Sequence, residues 1–111
     1  MAVNWTKEFP VAITLCDNEG IIVDMNNKAA STFSADGGLD LIGKNLFECH
    51  SQTSVDKIKD FINHSKTNVY TIEKNGIKKL IYQSPWYENG EMKGLVELSL
   101  EVPVDMPHFI R

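Results

Sequence analysis

Apolar and polar positions alternate near both ends of the chain, and this spacing predicts β-strands there. Near the N-terminus, the runs Val11–Cys16 and Ile21–Met25 flank the turn Asp17–Gly20, so we expect a hairpin. Three longer runs follow in the second half, and the turns between them contain Asn-Gly, the strongest short hairpin signal. These three predicted strands are 68–74, 77–86 and 92–101.

Between the two groups of strands, apolar residues recur at a helical spacing. Asn26 is a predicted N-cap for a short helix over Lys28–Phe33. A longer helix is predicted over Thr53–Ser65, with a polar side that faces solvent. The apolar side of that helix carries Val55, Ile58, Phe61 and Ile62, and the polar side carries Asp56, Lys57, Lys59 and Asp60.

The order of these elements predicts an α+β fold, with a five-stranded antiparallel sheet and short helices packed on one of its faces. In the last strand Val96, Leu98 and Leu100 alternate with mostly polar residues, so we expect this apolar set to face inward. Residues 1–10 form an N-terminal cap, with a short amphipathic helix or a simple cap over Asn4–Phe9. Residues 11–102 form the domain, and residues 103–111 a surface tail.

Composition and charge narrow the function classes for this single domain of 111 residues. The net charge is -4 and the only arginine is Arg111, which argues against nucleic-acid binding. No apolar run approaches the roughly 18 residues of a membrane span. We therefore expect no membrane partner. Cys16 and Cys49 are not spaced as in a metal site or a disulfide framework, so we expect a cytoplasmic protein with reduced thiols.

Three segments resemble the PAS family of small sensor domains. They are the opening hairpin "FPVAITLCDNEGIIVDMNNKAASTF", the linker "LIGKNLFE" and the closing hairpin "WYENGEMKGLVELSL", in which Gly94 begins the last strand. The resemblance covers about residues 8–101. It implies a sheet in the strand order 2-1-5-4-3, with a ligand cavity between the sheet and its central helices.

PAS membership implies a sensory module that binds a small molecule, or nothing, and relays a change to a partner. The family usually attaches such modules to kinase, cyclase or transcription domains, and no such effector is present here. We therefore expect a free-standing PAS protein that acts on a separate signalling protein, or a piece of something longer. The family's usual homodimer, through the sheet face and the cap with Trp5 and Phe9, is also implied. A ligand-free scaffold for dimerisation or protein interaction is the alternative.

Within the family, "GKNLFECHSQTSVDKIKDFI" is similar to a subgroup with haemerythrin-linked modules and haem-containing carbon monoxide-sensing regulators. The resemblance implies that His50 ligates haem iron, with Met92 or Met25 as a candidate sixth ligand. The alternatives for His50 are a helix-capping role or a place in the wall of an empty pocket, and for the methionines plain packing. The predicted pocket lining is Phe33, Leu46, Phe47, Val55, Ile58 and Ile62.

Other reactive or aromatic side chains have structural interpretations. No catalytic motif appears, so we do not expect an enzyme. The carboxylate pairs Asp17/Asp24 and Glu97/Glu101 are interpreted as solvated surface groups, and both cysteines as small buried hydrophobic residues. The aromatic residues of the last three strands form an interaction surface or pack locally. They are Tyr70, Tyr82, Trp86 and Tyr87.

Overall fold

The computed structural model describes residues 3–45, 56, 59, 60, 63 and 66–111. The chain begins with strands β1 (Ala12–Asp17) and β2 (Ile22–Met25), followed by helix α1 (Asn27–Thr32). Two 3-10 helices come next, Ser34–Asp36 and Gly38–Leu41. Strands β3 (Asn68–Lys74), β4 (Ile77–Glu88) and β5 (Glu91–Glu101) complete the fold.

The five strands form one antiparallel sheet in the order β2-β1-β5-β4-β3. This confirms the fold class and the strand order. Both predicted Asn-Gly turns are present, because Asn75 and Gly76 have φ values of 54° and 78°, and Asn89 and Gly90 have 53° and 81°. Two consecutive positive φ values are typical of the hairpin turn that matches strand twist. With a turn this tight, pairing continues to Glu88 and Glu91, beyond the predicted strand ends.

Asn26 joins the N-terminal segment, β1 and α1 through one buried side chain. Its Oδ1 accepts hydrogen bonds from Ala29 N at 3.0 Å and Ile13 N at 2.9 Å. Its Nδ2 donates to the carbonyl oxygens of Thr6, Phe9 and Val11. The predicted N-cap is therefore confirmed. The N-terminal segment is a turn held by these bonds and not a helix, so of the two predicted forms it takes the simple cap.

A small apolar core lies between the first hairpin and α1. It contains Ala12, Ile22, Met25 and Ala29, with Phe33 and Leu41 packed against it. The sheet face that carries Ala12 and looks toward α1 is called the inner face, and the opposite one the outer face. Because successive strand residues point to opposite sides, Thr14 and Cys16 share the inner face with Ala12.

The inner face of β5 differs from the predicted one. Residues paired in register lie on the same face, and Leu95, Glu97 and Ser99 pair with Cys16, Thr14 and Ala12. Ser99 and Glu101 also line a cleft with Lys28 and Thr32 of α1. The predicted inward set, Val96, Leu98 and Leu100, therefore lies on the outer face. Alternation defines two faces, but it does not specify which one the helices cover.

Four positions of the predicted helix over 53–65 are described, and all four are helical: Asp56, Lys59, Asp60 and Asn63. Asp56 and Lys59 are exposed, as expected for the polar side. Asp60 forms an ion pair with Lys66, with 2.9 Å between Asp60 Oδ2 and Lys66 Nζ. The predicted apolar side lies outside the described residues. In the described part of the chain, no helix is long and apolar enough to cross a membrane. The cytoplasmic location stays a prediction.

Candidate ligand site on the inner sheet face

A row of polar side chains crosses the middle of the inner face. Each of its members pairs in register with the next, one residue from each strand, and the row ends at a core methionine. We call its polar members the polar row: from β3 to β1 they are Asn68, Gln83, Glu97 and Thr14, and Met25 of β2 comes after them.

Hydrogen bonds connect the first three members of the polar row in one direction. Asn68 Nδ2 donates to Gln83 Oε1 at 3.3 Å, and Gln83 Nε2 donates to Glu97 Oε2 at 2.8 Å. A carboxylate only accepts hydrogen bonds, so Gln83 must turn its amide nitrogen toward Glu97 and its oxygen toward Asn68. Glu97 thus sets the orientation of both amides, and Gln83 is held with only 8% of its surface exposed.

The second oxygen of Glu97 is open to a further partner. Glu97 Oε1 receives no hydrogen bond from any residue in the described ranges. In that part of the chain, every side-chain oxygen or nitrogen that is buried from solvent has a hydrogen-bond partner. Because Glu97 Oε1 has none, it is not buried, and solvent or a small molecule is able to reach it. Glu97 is half-buried on the inner face, which corrects its interpretation as a solvated surface group. Glu101, one of the other predicted surface carboxylates, is exposed as expected.

The rows on either side of the polar row are mainly apolar. Ile81 and Ser99 lie on one side, and Leu95 and Cys16 on the other. Cys16 is 2% exposed, and burial raises the pKa of its thiol, so it stays a neutral, small apolar side chain as predicted. The open carboxylate oxygen of Glu97 therefore lies on a floor of mixed polar and apolar side chains, with buried Ile81 and Leu95 on either side of its row.

Tyr70 stands beside the polar row, two residues after Asn68 on the same face of β3. Partial burial and, secondarily, the nearby Glu97 carboxylate raise the pKa of its phenol. Since both causes favour the protonated form, the hydroxyl keeps its proton at neutral pH and is able to donate as well as accept. Because 41% of Tyr70 is exposed, this side chain lies at the edge of the floor.

Most residues that the sequence singled out for the pocket fall outside the described residues: Leu46, Phe47, His50, Val55, Ile58 and Ile62. Phe33 is half-buried against the apolar core, and Met25 is buried in it. Met92 is the second residue of β5 and lies opposite Tyr87, next to a bulge. Its carbonyl oxygen accepts a hydrogen bond from Asn18 Nδ2 at 3.2 Å. The predicted pocket residues and the haem ligands thus stay predictions.

The described inner face does not by itself fit haem. Its central groups are a carboxylate and two amides, and in the described ranges no three His, Cys, Asp or Glu residues gather as metal ligands. The only described histidine, His108, lies exposed in the C-terminal tail. A histidine ligand to haem iron on this face would have to come from His50 or His64, both of which lie outside the described residues.

The aromatic residues of the last three strands are divided between the two faces. Tyr70 is on the inner face, whereas Tyr82 and Trp86 alternate with inner-face Ile81 and Gln83 and so lie on the outer face. Trp86 Nε1 donates to the Cys16 carbonyl oxygen at 2.9 Å. Gly94 pairs with both strands at this point, and a Cβ there would overlap the same carbonyl oxygen. These side chains therefore do not form one surface.

Solved structures with a similar backbone include PAS domains. The chain matches the PAS-haem oxygen sensor Aer2 from Vibrio cholerae with a TM-score of 0.62 and 16% identity, over 84% of this chain and 95% of that one. It matches the PAS domain of an HTR-like protein from Haloarcula marismortui with a TM-score of 0.61 and 12% identity, over 87% and 85%. The chain has the PAS fold.

A third structure with this fold is VqmA bound to DPO, which matches with a TM-score of 0.66 and 14% identity, over 88% of this chain and 54% of that one. The present chain therefore spans about half of VqmA. No protein-family profile matches the sequence, and no curated protein matches it closely. At these identities the similarity establishes the PAS fold alone.

The sequence did not reveal the polar row as a site. Asn68, Gln83 and Glu97 come from three strands, and only the pairing register brings them together. One signal was present, because Glu97 interrupts a strand that is otherwise rich in Leu and Val. The register that turns this residue inward could not be derived from alternation.

Proposed function

We propose that this chain is a PAS sensory module that binds a small molecule over the inner sheet face and signals to another protein or domain. The observation that carries this proposal is the half-buried Glu97, with one oxygen bonded to Gln83 and the other open. The open oxygen is a charged hydrogen-bond acceptor beside buried Ile81 and Leu95, so a small molecule on this face is able to pair with it and to bury apolar surface.

The two longest strands connect the proposed binding face to the outside of the molecule. In β4 and β5, the residues next to Gln83 and Glu97 in sequence are Tyr82 and Leu98, which pair with each other on the outer face. A shift of the polar row on ligand binding therefore moves outer-face side chains as well. The ligand changes the signalling state only to the extent that it binds one of the two arrangements more tightly.

We further propose that the outer face binds a second copy of the chain. This face is broadly apolar and partly exposed, and it includes Tyr82, Val96, Leu98 and Leu100. Trp5 and Phe9 make an edge-to-face contact with ring centroids 5.4 Å apart, and both are exposed on the N-terminal segment. Exposed aromatic residues of this kind are enriched in protein interfaces. The VqmA structure from Vibrio cholerae is described as a dimer.

Native mass spectrometry and a fragment screen test the binding function together. The chain is examined for a retained small molecule, and then a fragment library is screened by NMR with assigned side-chain resonances. We expect perturbations at inner-face residues of β5, such as Leu95 and Glu97. A library that leaves the inner face unperturbed, with no retained molecule, would favour the ligand-free scaffold.

Haem binding through His50 is tested separately, because one neighbour with this fold is a haem sensor. The protein is incubated with haemin under reducing conditions, and the visible spectrum is recorded for the original chain and for His50→Ala. A sharp Soret band that is lost in His50→Ala would support haem, with His50 as the ligand. A spectrum identical to that of free haemin would exclude this ligand for the chain.

A further inference from the structure

The polar row indicates what kind of molecule the proposed site accepts. We propose that its ligand is a small molecule with a nitrogen-bound hydrogen-bond donor, such as an amidinium or a primary carboxamide, which pairs with Glu97 Oε1. This inference rests on the proposed binding function and adds the chemical class of the ligand. It follows from the hydrogen-bond directions in the row and from the position of the open oxygen.

The direction of the hydrogen bonds makes the centre of the floor an acceptor. Asn68 donates to Gln83 and Gln83 donates to Glu97, so one N–H of each amide is used along the row, and neither amide donates to Glu97 Oε1. The group left open at the end of this chain is a carboxylate oxygen, which accepts and never donates while ionised. A ligand that offers only acceptors there would leave two acceptors facing each other, at a cost in free energy.

The surroundings favour a compact donor group with an apolar body. Buried Ile81 and Leu95 flank the polar row on opposite sides, so an apolar body buries its surface against them. Thr14 lies opposite Glu97 in the strand register, and Tyr70 lies at the edge of the floor. The hydroxyl of each residue is able to donate or accept a hydrogen bond. Lys79 of β4 is also on the inner face, but it lies opposite Glu101 in the strand register, at the far end of the strands. An anionic ligand over Glu97 therefore gains little from it.

Two matched pairs of probes test the inference. Benzamidinium and benzoate have the same ring, but benzamidinium is a cation with N–H donors and benzoate is an anion that only accepts hydrogen bonds. Benzamide and methyl benzoate are both neutral, and only benzamide has nitrogen-bound donors. Binding of each probe is measured by isothermal titration calorimetry and protein-observed NMR, with the original chain and with Glu97→Gln. The control is Glu101→Gln, which removes the same charge from the same face of β5 at an exposed position.

We expect benzamidinium and benzamide to bind at least tenfold more tightly than their partners. Glu97→Gln should weaken benzamidinium at least tenfold, whereas Glu101→Gln should change its affinity less than twofold. The inference would be overturned if benzoate or methyl benzoate bound as well as its partner, or if both variants lost benzamidinium equally. A fragment screen in which only acceptor or purely apolar molecules perturb the inner face would also overturn it, while the binding function itself would stand. If neither donor probe binds and no fragment reaches the inner face, both proposals fail.

Discussion

At the scale of single residues, two polar side chains on the inner side of the molecule have different roles. Asn26 is fully satisfied, with every hydrogen bond directed at the backbone, and so it organises the fold. Glu97 has an open oxygen, and so it is available for binding. The first role was predictable, because an asparagine ahead of a helical pattern is a local capping signal. The second was not, since it depends on strands far apart in sequence.

Asn26→Ala should lower the free energy of unfolding by about 3 kcal/mol or more. The substitution removes a helix cap and leaves the buried amide of Ile13 and the carbonyl of Val11 without their partner. Urea unfolding measures the loss. The control is Asn27→Ala at the exposed neighbouring position, expected to change stability by less than about 0.5 kcal/mol. Equal losses for the two variants would show that Asn26 has no special structural role.

Gly94→Ala should destabilise the chain by more than about 3 kcal/mol, because the new Cβ meets the backbone of β1 and not a movable side chain. Gly43→Ala is the matched control. Gly43 also has a positive φ, but nothing lies near its added Cβ, so only backbone strain of about 1–2 kcal/mol is expected. Comparable losses in the two variants, measured by thermal unfolding, would contradict the close approach at Gly94.

At the scale of elements, local signals predicted the hairpins and the short helix correctly. The Asn-Gly turns need positive φ at both central residues, and that requirement is visible in the residue types themselves. Two outcomes at this scale depended on packing instead. Of its two predicted forms, the N-terminal segment has the cap and not the helix, because its carbonyl groups bond to Asn26. The apolar alternation in β5 faces outward because pairing with β1 turns Glu97 inward.

Gly76→Ala should cost about 1 kcal/mol of stability, since the turn requires a left-handed backbone there and the added Cβ meets no other atom. Gly76→Asn should cost less, because asparagine tolerates this conformation. Urea unfolding of both variants distinguishes strain in the left-handed backbone from a steric contact of the added side chain. If asparagine were as costly as alanine, backbone conformation would not explain the loss.

At the scale of the whole molecule, the sheet has two different faces. The inner face has a polar row between apolar neighbours, and the outer face is broadly apolar and partly exposed. β4 and β5 contribute to both, which is the basis for the proposed coupling between ligand binding and association. The order of elements and the PAS resemblance gave the topology in advance. They did not specify which residues of β5 lie on the inner face, because that depends on pairing register.

Tyr82→Glu should weaken self-association at least tenfold without unfolding the chain, because Tyr82 is partly exposed on the outer face and a charge is costly in an apolar interface. Tyr87→Glu, at an exposed position beside the β4–β5 turn, is the control and should leave association unchanged. Sedimentation equilibrium measures both. A monomer at all concentrations, or equal weakening by the two variants, would contradict a dimer through the outer face.

Side-chain amide NMR tests most directly whether Glu97 receives a ligand at the polar row. When benzamidinium is added, the Gln83 NH2 resonances should shift, because this group shares the Glu97 carboxylate with the ligand. The same addition should leave them unmoved in Glu97→Gln. Shifts confined to outer-face Val96, Leu98 and Leu100, or Gln83 shifts that persist in Glu97→Gln, would contradict ligand binding at Glu97.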